Sequence, residues 1–388
     1  LGRESLELLE EAERAGADVR ATKYLFAAVG GVWINERWDE EKLARLREGA
    51  EQARAVGDRQ EAALGLYRVG MRLLLMQREP EARGPLQESL ALYRELGYRN
   101  GIQAALLRLV MLARLDGRFG DLEEFADEGE GLLRGHDHLS LLPRRQVSLC
   151  AALYVAGRFA SAEPLTRACV ADAEETALSR LTESLTRLGA IEIHLGRWGE
   201  ARETLTRALR TWKEGWYRTL QWSPVMRLSL LALAAEDLAE VQRCLEQGQA
   251  LLSEVKEEPS LWDAVGDIAT RWLPWLPQAV LALLAGHPDQ AGAPLRTLLR
   301  QFTTGESLAV AALYGLARGE PERAVELYAV ARRDPFVSGS SWYARVVGER
   351  VAAAAAGLPP EAVRAAEERG RKREWAATIK ELVDELAT

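Results

Sequence analysis

A short motif that recurs at a fixed interval constrains the fold of this chain more than any other feature. A Gly-Arg-aromatic triplet begins at Gly117, Gly157 and Gly196, so that successive copies are separated by about 40 residues. Each triplet separates two runs in which apolar residues recur at helical spacing. A fixed period of this size is typical of stacked repeats. We therefore expect a helix, a tight glycine turn and a second helix in each unit.

The same unit extends over most of the chain. The sequence predicts about eight helical hairpins, whose turns fall at positions 36, 77, 117, 157, 196, 236, 286 and 319. The interval is regular up to position 236, becomes longer between 236 and 286, and is shortest between 286 and 319. Because each repeat buries its apolar face only against its neighbours, the 388 residues fit one continuous array.

The two ends of the chain differ from the repeats. We expect a capping helix at residues 1–18, the repeat array at 19–332 and a helical C-terminal cap at 333–388. Within the cap, a loop is predicted at 334–339, followed by three closing helices. The sequence starts at Leu1 without an initiator Met or a signal-peptide pattern. This start favours a piece of a longer protein.

Composition narrows the class of protein. Apolar residues make up 48% and charged residues 28%, and helix formers dominate, which favours a soluble all-α chain. The net charge of -8 argues against nucleic acid as a general partner. Apolar runs are too short for a membrane-spanning helix. Three cysteines without short paired spacing are typical of a reducing compartment, here the cytoplasm.

Small residues stand where the two helices of a hairpin must approach closely. The fifth hairpin has Leu188-Gly189 on its first helix, then Ala201, Leu205 and Ala208 on its second. This pattern resembles the tetratricopeptide repeat (TPR). The resemblance implies an all-α, right-handed superhelical solenoid with a concave ligand-binding face.

The period of this chain is longer than the roughly 34 residues usual in that family. Longer copies are similar to the arrays of bacterial STAND-class signal-transduction ATPases and related transcriptional regulators. The tail, with Leu358-Pro359-Pro360 and the stretch from Arg371 to Trp375, resembles the carboxyl end of such regulators. The resemblance implies a sensor domain that binds a peptide, protein or small inducer and relays occupancy to N-terminal NTPase or effector domains outside this chain. A constitutive protein–protein scaffold without switching is the alternative.

Sequence signals for catalysis are absent. The chain has no Gly-rich phosphate loop, no dinucleotide-binding glycine motif and no nucleophile elbow, so we expect neither enzyme activity nor a cofactor. His136, Asp137 and His138 lack the Cys pair or HExxH context of a metal site, and favour a solvated loop. His194 and His287 lie at turns, where capping or surface positions are expected.

The aromatic residues of the triplets allow two interpretations. Phe119, Phe159 and Trp198 each follow an arginine, which suggests a ladder of ligand contacts. The structural alternative is that the ring packs across the hairpin mouth while the arginine stem lies over it. We favour the structural interpretation.

Candidate ligand-binding residues come first from the helix expected to line the concave face of each hairpin. They are Tyr67, Met71, Met111, Arg114, Arg144, Tyr154 and Met226. Methionine and aromatic side chains give an adaptable apolar lining. Arg114 and Arg144 are candidates for holding a carboxylate or phosphate. Packing against other repeats is the alternative for each of them.

A second group of candidates lies where the repeat period breaks. Trp222, Trp262 and Trp272 are predicted to contact a ligand, since tryptophan offers a large contact area at low entropic cost. Trp275 lies close by, at a position where the family often carries a structural tryptophan. The alternative is that irregular hairpins need bulky residues to fill wider gaps. Residues 236–286 are therefore the first place to look for function.

Overall fold

The computed structural model of the chain describes residues 40–133, 147–176, 178–211, 221–253 and 274–387, and every regular element in these ranges is a helix. The predicted capping helix at 1–18 and the first helix of the first hairpin lie outside them. Contacts divide the chain into two compact units. Described residues up to Leu112 belong to the first unit, and those from Ala113 onward belong to the second.

The first unit is built from helices joined by short turns. They are α1 (Glu40–Ala55), α2 (Arg59–Leu75), α3 (Glu79–Glu95) and most of α4 (Arg99–Leu115). Glycines bring neighbouring helices together: a Cβ on Gly65 would lie 2.8 Å from the Cβ of Ala50, and one on Gly70 would lie 2.4 Å from Leu86. Any larger side chain at these two positions would push the helices apart.

The second unit continues the same pattern. Its helices are α5 (Phe119–Gly131), α6 (Val147–Val155), α7 (Phe159–Thr176), α8 (Leu178–His194), α9 (Trp198–Arg210), α10 (Trp222–Ala234), α11 (Leu238–Ser253), α12 (Trp275–Leu284), α13 (Pro288–Gln301), α14 (Gly305–Ala317) and α15 (Pro321–Ala331). Gly189 of α8 faces Leu205 of α9, with 2.6 Å between its ideal Cβ and the leucine side chain. The all-α fold and the packing of neighbouring helices thus fit a helical repeat. The right-handed superhelix stays a prediction.

Left-handed residues form the hairpin turns. The backbone φ is positive at Gly117, Gly157 and Gly196, as it is at the predicted turn positions Gln77 and Glu236, where φ is 58°. At Gly117 the turn N–H bonds the carbonyl three residues back, and the next N–H bonds the carbonyl five back. This is the Schellman arrangement, which satisfies the last carbonyls of the first helix. The repeated glycines are therefore structural stops.

The C-terminal segment, residues 334–387, is helical but irregular. It contains α16 (Pro335–Ser338), α17 (Ser341–Tyr343), a π-helix (Ala344–Gly348), α18 (Glu349–Ala355), α19 (Pro360–Lys372) and α20 (Trp375–Glu385). The prediction of a loop at 334–339 is wrong in part, because α16 lies within it. Asp334 begins this short helix by accepting a hydrogen bond from the backbone N–H of Phe336 at 3.0 Å.

Within the second unit, the C-terminal segment packs against the ends of earlier helices. Trp342 Nε1 donates to the carbonyl of Leu230 at 2.7 Å, and Arg345 Nε donates to that of Ala234 at 2.7 Å. A Cβ on Gly157 would lie 2.5 Å from the carbonyl oxygen of Pro335. The bond from Arg345 satisfies a carbonyl that α10 leaves open at its end. The segment thus does more than cover the last repeat.

Candidate functional site

The predicted ligand-binding residues lie at different depths. Arg144, Trp262 and Trp272 fall outside the described residues. Tyr67 and Met71 are half-buried, while the remaining candidates are buried. The buried ones are Met111, Arg114, Tyr154, Trp222 and Met226. That these side chains contact a ligand stays a prediction, and the surroundings of those in the second unit separate them into two groups.

Arg114 is held by carboxylates of its own chain. Its Nε donates to Asp334 Oδ2 at 2.9 Å, and its Nη2 donates to Glu306. The guanidinium also lies over the Phe336 ring, 4.1 Å from the centroid. All three charged side chains are almost completely buried. The carboxylate that Arg114 was predicted to bind is therefore supplied from within the second unit.

Two carboxylates share this one guanidinium. Burial raises the pKa of Asp334 to about 6, and repulsion from Glu306 adds to the rise. The charge of Arg114 and two backbone N–H donors, from Gly305 and Phe336, act in the opposite direction. Burial alone would lower the pKa of Arg114, but the two carboxylates raise it above its ordinary value. The guanidinium therefore stays charged.

A buried aromatic cluster lies next to the ion pairs. Phe159 and His194 stack with ring centroids 4.7 Å apart, and Phe336 meets both rings edge-on. Tyr154 contacts the same group, and Arg227 lies 5.8 Å from the centroid of its ring. The structural interpretation of the triplet aromatic therefore fits Phe159. Its ring meets Tyr154 of its own hairpin, and it also meets His194 of the next hairpin and Phe336 of the C-terminal segment.

His194 is buried, so the prediction of a capping or surface position is wrong. It is 2% exposed, and its Nδ1 lies 2.7 Å from the Ser340 hydroxyl oxygen. Burial lowers the pKa of His194 well below 6.5, and the nearby charges of Arg227 and Arg114 lower it further. The ring is thus neutral at pH 7. His287, by contrast, is exposed at the start of α13, as predicted.

A groove lies where the repeat period breaks, between α10, α11, α12 and the start of α13, and its volume is 610 Å³. Trp222 and Met226 contribute from α10, Leu245 from α11 and Trp275 from the start of α12. Met226 lies against Gly248, whose ideal Cβ would come within 2.4 Å of the methionine methyl. Two of the predicted ligand residues therefore line the same groove, and Trp275 lines it with them.

The rim of this groove is polar and carries little charge. Four amide side chains line it, together with Glu246 and His287; the amides are Gln242, Gln249, Gln278 and Gln290. Among the described lining residues there is one carboxylate and no Lys or Arg. Each amide offers both hydrogen-bond donors and an acceptor. The arrangement suits a neutral or positively charged ligand with apolar groups and hydrogen-bonding atoms.

Helix α10 connects the groove with the buried cluster. Trp222 and Met226 face the groove, while Arg227 donates to the Tyr154 hydroxyl at 3.2 Å. Carbonyls in the second half of the same helix accept the bonds from Trp342 and Arg345. A shift of α10 would therefore change the hydrogen bonds that this helix forms with the C-terminal segment.

Comparison with known proteins adds no family assignment. The sequence matches no model of a known protein family, and it has no significant similarity to a curated protein. The described helices are each too short or too polar to cross a membrane. No group of three or more His, Cys, Asp or Glu side chains that could hold a metal occurs in the described part of the chain. His136 and His138 lie outside that part.

The amide rim had no signal in the sequence, because single glutamines on exposed helix faces are common. Trp222 and Met226 were found from residue type, from their expected helix face and from the break in the period. Trp275 was given a structural role, and it lines the groove as well. Arg114 has two partners, Glu306 and Asp334. Both lie far along the chain in later elements, so no local pattern points to them.

Proposed function

We propose that this chain acts by binding rather than by catalysis, as the TPR-type sensor array of a larger bacterial signalling protein. The observation that carries the proposal is the 610 Å³ groove lined by Trp222, Met226 and Trp275. A volume of this size is within the usual range of ligand pockets, and an apolar floor with a few polar groups is their usual lining. The STAND-like effector or ATPase module that would receive the signal lies outside this chain.

The amide positions favour an extended peptide as the ligand. Gln242 and Gln249 are two turns apart on α11, which places them about 10 Å apart along the helix. Three residues of an extended peptide span about the same distance. Gln278 and Gln290 line the groove from α12 and α13. Backbone groups of such a peptide would bond the amides, and an apolar side chain would enter between Trp222 and Trp275.

The relay would use α10. A peptide that fits one position of this helix better than another shifts the population toward that position, and only this difference in affinity can drive the change. The moving helix carries the carbonyls that accept from Trp342 and Arg345. The C-terminal segment is thus the part expected to respond.

Selection from a displayed library of random peptides tests the binding function. We expect enriched peptides to bind the chain and to lose at least ten-fold in affinity with Trp275→Ala or Gln249→Ala. Gln247→Ala is the matched control, since Gln247 is exposed on the same helix but does not line the groove. Equal binding by the Gln249→Ala and Gln247→Ala proteins would place the peptide elsewhere.

The constitutive scaffold is the second candidate, and the buried ion pairs favour it. A C-terminal segment fixed by Arg114 and Trp342 has little freedom to move. Solution scattering with and without a selected peptide separates the two functions. The scattering profile of a sensor should change when the peptide saturates it. An unchanged profile would favour the constitutive scaffold.

A further inference from the structure

A second cavity lies entirely within the C-terminal part of the second unit, away from the peptide groove. It has a volume of 750 Å³ and lies among α15, the π-helix, α18 and α19. Its walls are mostly small and apolar, with Val325 and Val337 buried and Val363 half-buried. The alanines of α18 add a smooth surface on one side. Such a cavity accepts a narrow hydrocarbon chain.

One edge of the cavity carries arginines. Arg332, Arg333 and Arg371 line it, against Glu349 and Glu367. The three positive and two negative charges leave one positive charge in excess. A single anionic group would therefore balance the edge.

The three arginines are not equally available. Arg371 pairs with Glu367 at 2.8 Å, and Arg333 donates to the carbonyl of Arg373 at 2.5 Å. Arg332 is exposed and forms no ion pair among the described residues. Burial raises the pKa of the Tyr328 hydroxyl, and the positive charge of Arg332 lowers it in part. Arg332 therefore interacts electrostatically with this phenol. Arg332 is thus the arginine best placed to bind an incoming anion.

The π-helix forms part of the wall. Ala344 and Gly348 both line the cavity. A Cβ on Gly348 would lie 2.7 Å from the Tyr328 hydroxyl oxygen, so glycine lets this phenol reach the cavity edge. A π-helical segment within an α-helical region is rare, and such segments are found frequently at functional sites. It supports a binding role for the cavity independently of the arginines.

We infer that this cavity binds a small amphipathic carboxylate. The hydrocarbon chain lies among Val325, Val337 and Val363, and the carboxylate bonds Arg332. A carboxylate brings the single negative charge that the edge lacks. A phosphate monoester brings nearly two, and its excess charge would face Glu349 and Glu367.

Calorimetric titration of the full chain tests the assignment with octanoate as the probe. We expect octanoate to bind at least ten-fold more tightly than octan-1-ol, octylamine or octyl phosphate. Arg332→Gln should weaken octanoate binding at least five-fold. Arg364→Gln, an exposed arginine on α19 that does not line the cavity, should leave it unchanged.

A blocking variant checks the location. Ala352 and the neighbouring Ala353 are both exposed, but only Ala352 lines the cavity. Ala352→Phe should abolish octanoate binding, and Ala353→Phe should preserve it, with melting temperatures confirming that both proteins fold. The assignment is overturned if octanoate does not bind, if octan-1-ol binds equally well, or if Ala352→Phe leaves octanoate binding intact.

Discussion

At the scale of single residues, Arg114 decides how the interior of the second unit is organised. Its guanidinium is buried between Asp334 and Glu306 and lies over Phe336. Removing one partner from a buried ion pair leaves uncompensated charge, which costs far more than the pair itself contributes. Replacing Arg114 is therefore expected to destabilise the fold strongly, whether or not Arg114 contacts a ligand.

Arg114→Met should lower the free energy of unfolding by about 3–5 kcal/mol at pH 7. Urea denaturation measures this loss. The loss should shrink at pH 5. In the wild-type protein Asp334 has a pKa of about 6, which the charge of Arg114 lowers. Without that charge its pKa is higher, so above pH 6 the variant binds a proton that the wild-type protein does not, and acidification favours the variant. Arg118→Met is the control. Arg118 pairs with Asp121 at an exposed site, where an ion pair contributes about 0–1 kcal/mol.

His194 gives the second unit a pH dependence of known sign. The pKa of His194 lies well below 6.5 in the folded chain, so below pH 6.5 the unfolded chain binds a proton that the folded chain does not. This contribution to stability is present above pH 6.5 and falls by about 1.4 kcal/mol per pH unit below it.

His194→Gln removes this titration. The stability difference between the wild-type and variant proteins should therefore narrow from pH 7.5 to pH 5.5. Asp334 titrates in both proteins, so it does not produce the difference. A constant gap across this range would mean that His194 is not held neutral by burial.

At the scale of helices and turns, two glycines with nearly the same backbone angle separate turn strain from packing. Gly157 and Gly319 have φ values of 75° and 76°. An added Cβ would meet the Pro335 carbonyl oxygen at 2.5 Å in the first case, and nothing within 4 Å in the second.

Gly319→Ala should lower the free energy of unfolding by about 1–2 kcal/mol, because alanine is unfavourable in the left-handed conformation. Gly157→Ala should lower the free energy of unfolding by about 1–3 kcal/mol more than Gly319→Ala does, since the C-terminal segment has to shift. Equilibrium unfolding of the two variants measures the difference. Equal losses would mean that the segment is not packed against this turn.

Among the described hairpin turns, those at Gln77 and Glu236 lack a glycine and offer a gain in stability. Gln77 adopts φ 58°, which is unfavourable for a side chain with a Cβ. Gln77→Gly should stabilise the first unit by about 0.5–1 kcal/mol, after the added freedom of the unfolded chain is subtracted. Gln87→Gly, at an exposed position inside α3, should instead destabilise by about 1 kcal/mol. Thermal melting of both variants tests the sign.

Sequence reasoning succeeded for elements because their determinants are local. The apolar spacing predicted a helix on each side of a turn, and the regular interval located Gln77 and Glu236 as turns without any glycine. It failed where partners are distant in sequence. No local pattern connects Trp342 with Leu230, or His194 with Ser340.

At the scale of the whole molecule, the second unit is more than a row of repeats that contact only their neighbours. The C-terminal segment reaches α10, and α10 forms one wall of the groove. Binding and the position of this segment are therefore expected to be linked. We propose that the groove at the break in the period is the ligand site.

Hydrogen–deuterium exchange of the chain, measured with and without a library-selected peptide, tests this location of the ligand site. We predict slower exchange in α10 and α11 and at the start of α12, and no such change in the Gln249→Ala protein at the same peptide concentration. Slower exchange confined to other helices, or equal protection of α10 and α11 in the Gln249→Ala protein, would contradict it.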